Sequence, residues 1–295
     1  MKIVECVPNF SEGRQKDVIE KIIAAVRGVD GVKVLDYSSD PSHNRTVLTF
    51  VGEPMAVKEA AFRVAEKAAE LIDMEQHQGE HPRIGAADVI PLIPISGVSM
   101  EECVELAREL GRDIGEKLGI PVYLYEEAAT RPDRKNLAHV RRGEYEGLKE
   151  AIKTPERQPD FGPAQMHPRA GAVAVGARPP LVAYNINLGT DKVEIAKAIA
   201  RTIRGSSGGY PSIKALGVLI EETGKAQVTI NVCNYKEVSL ARVFETVKSE
   251  AERYGVNITG SEIVGLVPME ALLDAAAFYL RLEGFQLEQV LEKRL

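Results

Sequence analysis

Short β-branched runs alternate along the chain with longer stretches whose apolar residues recur at helical spacing. Residues 2 to 9 (KIVECVPN) predict a strand that stops at Pro8-Asn9, and 14 to 28 place Val18, Ile19, Ile22, Ile23 and Val26 on one helical face. Residues 32 to 40 and 45 to 53 predict two strands joined by a turn of Pro41, Ser42, His43 and Asn44, followed by an alanine-rich helix over 55 to 73. Residues 87 to 95 (ADVIPLIPI) predict a fourth strand, which Pro91 and Pro94 mark as bulged or near an edge. This order, βαββαβ, is the split βαβ or ferredoxin-like signature. A helix over 100 to 118 and a strand over 122 to 128 extend it. The stretch from 130 to 178 is polar and irregular, with two short helical candidates, and its Pro and Gly density predicts both a boundary and a binding loop.

The same order then returns. Residues 181 to 188 (LVAYNINL) predict a strand, 191 to 204 a helix, 213 to 222 and 225 to 234 two strands joined at Thr223-Gly224, 240 to 254 a helix, and 256 to 267 a closing strand. The two first strands share a layout, VPNFSEGRQKDVIEKI beside YNINLGTDKVEIAKAI, which implies duplication. The expected fold is therefore α+β: two ferredoxin-like subdomains, 1–178 and 179–295, with added C-terminal helix over 269 to 284 and 286 to 295.

Composition narrows the function. With 295 residues, 44% of them hydrophobic, the chain can bury full cores. A net charge of −6, from 37 basic and 43 acidic residues, offers no global basic field for nucleic acid. Cys6, Cys103 and Cys233 are far apart and form no C-x-x-C pair, which argues against a disulfide framework and a thiolate metal site. Glu5 and Pro8 interrupt any secretory apolar run, and no stretch approaches the ~18 apolar residues of a membrane span. The expectation is a cytoplasmic protein with small-molecule partners, no nucleic acid and no membrane.

The densest chemistry lies in HQGEHPRIGA, residues 77 to 86. His77, Glu80 and His81 match the H-x-x-E-H pattern of zinc peptidases, but that pattern needs an unbroken helix with both imidazoles on one face. Gly79 splits the pair and Pro82 biases His81 away from helical backbone, so the segment is expected to be a loop leading into the strand at 87, without metal. His81 is then a general acid/base candidate, with Glu80 as a possible orienter, Arg83 as a possible carboxylate clamp and His77 as support. Arg45 enters a strand beside His43 and Asn44 and is a second candidate clamp. Asn9 ends the first strand of one half, where a helix cap also accounts for Ser11 and Glu12. Asn185 and Asn187 share one face of the corresponding strand, an unusual place for asparagine. AGAVAVGAR (170 to 178) and RGSSGGYP (204 to 211) carry glycines but lack the pattern of a phosphate loop, which predicts mobile or closely approached backbone.

CVPNFSEG, NRTVLTFVG, LIDMEQHQGEHPRIGAADVIPLIP, PVYLYEEA, PDFGP, YNINL and GSEIVGLVPMEALLDAAAFY, in this order across nearly the whole chain, resemble the glutamate formimidoyltransferase family, the transferase half of formimidoyltransferase-cyclodeaminase. The resemblance implies a stand-alone transferase of two ferredoxin-like subdomains that moves the formimino group of N-formimino-L-glutamate to N5 of tetrahydrofolate, its co-substrate, acting as a homodimer without metal. It implies that His81 is catalytic, and that the folate segment is Gly162, Pro163, Ala164, Gln165, Met166, His167, Pro168, Arg169, Ala170 and Gly171. The interior of that segment, 164 to 169, departs from the animal enzymes, so backbone contacts are the firmer expectation there, with His167 and Arg169 candidates for the folate glutamate tail. The residues alone leave open N-formylglutamate as donor, or a non-catalytic folate-binding module.

Overall fold

The computed structural model describes residues 1–221 and 223–294. The chain divides into two compact units, Met1–Arg178 and Pro179–Leu295.

In the first unit, Pro8 breaks the opening strand into β1 (Ile3–Cys6) and β2 (Asn9–Phe10), and α1 (Lys16–Arg27) follows. Next come β3 (Val32–Asp40), β4 (Arg45–Gly52), α2 (Pro54–Leu71) and β5 (Ala87–Ser96). In the sheet, β1 and β2 lie between β4 and β5, β3 flanks β4, and all these pairings are antiparallel. Numbered as four strands, the spatial order is 4-1-3-2, so the βαββαβ reading holds. Helix α3 (Met100–Leu118) opens on a Ser99–Glu102 capping box and ends at left-handed Gly119, where L side chains are disfavoured. After it come β6 (Val122–Glu126), α4 (Leu137–Val140), α5 (Glu144–Ala151) and β7 (Val173–Ala177). Ile22, Ile23, Leu48, Phe50, Ile90, Leu92 and Leu110 are among the side chains of the main core of this unit.

Two either-or expectations are resolved here. AGAVAVGAR is not mobile: it contains β7, fully buried and parallel to both β5 and β6, and Gly176 lies so close to Tyr125 that an added Cβ would sit 2.6 Å from its ring. A parallel strand buried on both faces shows a continuous run of small apolar residues instead of alternation, which resembles a glycine loop on paper. Strand β5 is bulged, as one alternative had it, and is not an edge strand. It lies between β1/β2 and β7, and the carbonyl of Pro91 accepts from Val7 at the break between β1 and β2. Pro94 lies beyond the last pairing with β7, Leu92 opposite Ala177, where its missing N–H costs nothing.

The second unit contains β8 (Val182–Leu188), α6 (Val193–Ile203), β9 (Ile213–Ile220), β10 (Lys225–Val232), α7 (Leu240–Glu252), β11 (Ile258–Val264) and α8 (Met269–Leu280). Its sheet runs β11-β8-β10-β9, again 4-1-3-2 and antiparallel throughout. Val182, Tyr184, Ile186 and Leu188 alternate into the core while Ala183, Asn185 and Asn187 face away from it, as a period of two requires. Gly217 is needed for packing, because its Cβ would fall 2.2 Å from the Lys197 nitrogen of α6. Beyond α8, Leu287–Gln289 and Leu291–Lys293 form 3-10 turns and not the predicted α-helix; Leu295 lies outside the described residues. This stretch buries no side chain that could offset the cost of starting a helix.

Candidate active site

Helix α2 ends at Leu71 with Ile72 already extended, so HQGEHPRIGA lies wholly in the loop before β5, and His77 and His81 share no helical face. The loop is held by its backbone. The N–H groups of Met74 and Ala86 donate to the carbonyls of Arg169 and Ala170 (2.9 and 2.8 Å), and Ala172 donates to Ile84 (3.0 Å). Ser11 reaches in from β2, its Oγ donating to the Gly85 carbonyl at 2.8 Å. Two glycines permit this closeness. A Cβ on Gly85 would meet the Ala172 carbonyl at 1.9 Å, and one on Gly79 the His43 carbonyl at 2.3 Å.

His77 is a brace. Its Nε2–H donates to the Asn44 carbonyl at 2.9 Å and its Nδ1 accepts from Arg83 Nε at 3.3 Å, and burial holds its pKa below the ordinary histidine value. Arg83, expected as a carboxylate clamp, is buried and bound by both oxygens of Glu146 (2.8 and 2.6 Å) and by Glu144 (3.2 Å). It ties the loop to α5 and has no free face for substrate. Asn44 was underrated by sequence reasoning. At φ +47° it occupies the left-handed region, its Oδ1 accepts from Gly13 N (2.9 Å), and its Nδ2 donates to the Gln78 carbonyl (3.0 Å). The signal was available, since asparagine tolerates that backbone better than most residues.

His81 is half-buried, and its Nδ1–H donates to the Pro82 carbonyl at 2.8 Å. A carbonyl can only accept, so this contact fixes the tautomer and leaves Nε2 carrying the lone pair. The orienting group is therefore a backbone carbonyl and not the Glu80 carboxylate. Burial first, then the charges of Arg45 and Arg141, depress the pKa of His81 to about 4, against the opposing pull of Asp88. The His43 ring stands edge-on 6.0 Å away, with its Nδ1–H donating to Asp40 at 2.7 Å.

A β-bulge creates the remaining geometry. Asn9 pairs with Val89 and Phe10 with Ala87, leaving Asp88 as an extra residue in β5, and such a residue can be re-aimed. Asp88 is buried; one carboxylate oxygen accepts from Ile84 N at 2.8 Å and the other from Arg141, which caps α4. Arg45 opens β4 with its Nε buried and unpartnered, as is Nε of Arg141. Burial and Arg141 lower the pKa of Arg45 to about 10. The sequence pointed to His81 and Arg45 but missed Asp88 and Arg141, because a bulge and the cap of a four-residue helix leave no periodic signature.

The other candidates divide. Asn9 is buried and its amide Nδ2 donates back to the Val7 carbonyl (2.9 Å), a bond that seals the β1/β2 break. Glu12, not Ser11, serves the start of α1, accepting from the N–H groups of Arg14 and Gln15. In the segment 162 to 171, Gly162 takes φ +80° beneath α3, Pro163, Ala164, Gln165, Pro168 and Arg169 are exposed, and Met166 packs on the core. His167 Nδ1 accepts from Ala170 N (2.9 Å), and Ala170 and Gly171 are buried against the His81 loop. The structure thus brings the end of this segment to the loop that carries His81. Asn185 and Asn187 belong to the second unit, bonded to Glu262 (3.1 Å) and Gln227 (2.9 Å).

A neutral imidazole with one anchored nitrogen, next to two arginines, has the chemistry to exchange a proton with an anionic small molecule. Comparison with known proteins specifies the class. The profile of the formiminotransferase domain, N-terminal subdomain, matches residues 3–178, and that of the formiminotransferase domain matches residues 183–294. A glutamate formimidoyltransferase from Streptococcus pyogenes is 52% identical over all of this chain and 99% of its own length, and one from Thermoplasma acidophilum is 51% identical over 100% and 98%. The mouse formimidoyltransferase-cyclodeaminase is 48% identical over 94% of this chain and 52% of its own, longer length. The chain belongs to the formiminotransferase family and is a transferase. No described helix is long and apolar enough to cross a membrane.

Proposed function

We propose that this chain transfers the formimino group of N-formimino-L-glutamate to N5 of tetrahydrofolate, giving 5-formimino-tetrahydrofolate and L-glutamate, with His81 as general acid/base. The carrying observation is the state of His81: Nδ1–H held by the Pro82 carbonyl, Nε2 unprotonated at neutral pH. N5 attacks the formimino carbon and a C–N bond forms as Nε2 takes the N5 proton. The C–N bond to glutamate then breaks as the imidazolium returns that proton to the departing nitrogen. One imidazole serves as base and then acid, and the sequence of steps uses no metal. Held substrates add an entropic advantage of several kcal/mol, of the order found for well-oriented reactions.

The segment 162 to 171 is proposed to meet folate, chiefly through its backbone, since the Ala170–Gly171 end lies against the His81 loop. Mass spectrometry of the folate product tests the reading, with N-formiminoglutamate and N-formylglutamate offered at equal concentration. The expected result is 5-formimino-tetrahydrofolate from the first donor. Transfer from the formyl donor alone, or folate binding with no transfer from either, overturns the reading.

A further inference from the structure

Arg45 opens β4 on the face opposite Leu48 and Phe50, which enter the helix-covered core. Its guanidinium has no hydrogen-bonding side-chain or backbone partner among the described residues, and its Nε is shut away from solvent. Arg141 shares the site: one of its Nη atoms is on Asp88 while its Nε is unpartnered. Two guanidiniums thus face one buried carboxylate. The neighbouring carboxylate, Asp40, is engaged by His43 through Nδ1 and by the N–H groups of Ser42 and His43. The charges acting on His81 are those of Arg45 from β4 and Arg141 after α4 against that of Asp88 from β5, two positive to one negative, while the His43 ring of the β3–β4 turn stands edge-on to it with its Nδ1–H on Asp40 at the end of β3. A buried cation left unpaired is costly, and a planar carboxylate is the partner that a guanidinium fork matches best.

We infer that Arg45 and Arg141 together receive one carboxylate of the amino-acid donor, and that this carboxylate, once seated, is the charge that lets His81 hold a proton during transfer. The inference rests on the donor being a glutamate derivative. Without the donor, burial and then the charges of the two arginines keep Nε2 bare, which suits proton removal but not proton retention. A seated anion offsets one positive charge, so the proton taken from the nucleophile stays on His81 long enough to reach the leaving nitrogen. Coupling is reciprocal: protonation of His81 strengthens carboxylate binding by the same factor that the carboxylate favours protonation.

The test titrates L-glutamate, glutarate and the diamide of glutamate, which has no carboxylate, into wild type, Arg45→Met and Arg45→Lys. His81 is followed by nitrogen NMR of the imidazole, with circular dichroism confirming the fold; Arg45 is chosen because its side chain carries no described internal bond. Saturating L-glutamate should raise the His81 titration midpoint by about one pH unit or more, and the diamide should leave it unmoved. L-Glutamate should bind about tenfold or more weakly to Arg45→Met, with Arg45→Lys partly restoring affinity. Equal glutamate affinity in a folded Arg45→Met protein, or a midpoint indifferent to glutamate, overturns the inference. If glutamate binds and shifts His81 but no formimino transfer occurs, the transfer reading fails and the carboxylate receptor stands.

Discussion

The two units carry the same 4-1-3-2 sheet, yet differ in their first strand and in the link that leads to their last. In the second unit the first strand, β8, runs unbroken through Val182–Leu188, and the link from α7 to β11 is short, residues 253 to 257. In the first unit the equivalent strand is split at Val7-Pro8 and the link from α2 to β5 is the long loop 72 to 86, whereas the bulge is common to both last strands, at Asp88 of β5 and Thr259 of β11. His81, Asp88 and Arg45 all lie at or beside these irregularities, and all five histidines of the chain are in the first unit. A duplicated scaffold shares its bulge between the copies and places reactive groups where one copy adds a strand break and a long loop, because a loop can aim a side chain that a regular ladder cannot.

The largest expected effect comes from breaking the loop's close packing. Gly85→Ala forces a Cβ to 1.9 Å from a carbonyl oxygen, and should cost about 3 kcal/mol or more, read by denaturant unfolding. Gly224→Ala in the second unit meets nothing within 4 Å and carries only the left-handed penalty at φ +63°, about 1 kcal/mol. Equal losses for the two would dissolve the contrast. Asn44→Ala removes two side-chain bonds and a residue suited to φ +47°, an expected cost of about 2–3 kcal/mol, with slower transfer because the His77 brace loses its setting.

Acid should act on the first unit before the second. His77, His81 and His167 all have folded pKa values below the ordinary 6.5, so the unfolded chain binds protons first. Their contribution to stability is whole above about 6.5 and is lost as pH falls; for His81 the loss is complete near its folded value of about 4. Hydrogen exchange at pH 4.5 and 7 should show faster opening of Met1–Arg178 at the lower pH, and uniform change across both units would contradict this. The smallest effect belongs to Asn187→Ala, which removes one hydrogen bond to Gln227 and should cost about 1 kcal/mol by thermal unfolding without moving the pH profile of transfer.

The strands and helices of both sheets were legible because alternation and helical spacing record which face is buried. Strand β7 was missed because burial on both faces erases alternation, and the C-terminal helix was overpredicted because spacing alone does not supply a surface to pack against. At the site, Gly79 and Pro82 correctly announced a loop, and His81 followed from it. Arg83 was misread because the charge pattern cannot show that Glu144 and Glu146, some sixty positions later, already bind it. Arg141 and Asp88 form an ion pair across a comparable separation, which leaves no local trace in the chain.

Single-turnover transfer, with both substrates saturating, from pH 4 to pH 8 in wild type and His81→Asn tests the central claim most directly. The account predicts that the wild-type rate falls with acid as His81 becomes protonated, and that His81→Asn is about a hundredfold slower or more and flat across the same range. A His81→Asn protein that keeps the wild-type rate, or a slower one that keeps the same acid limb, would contradict it.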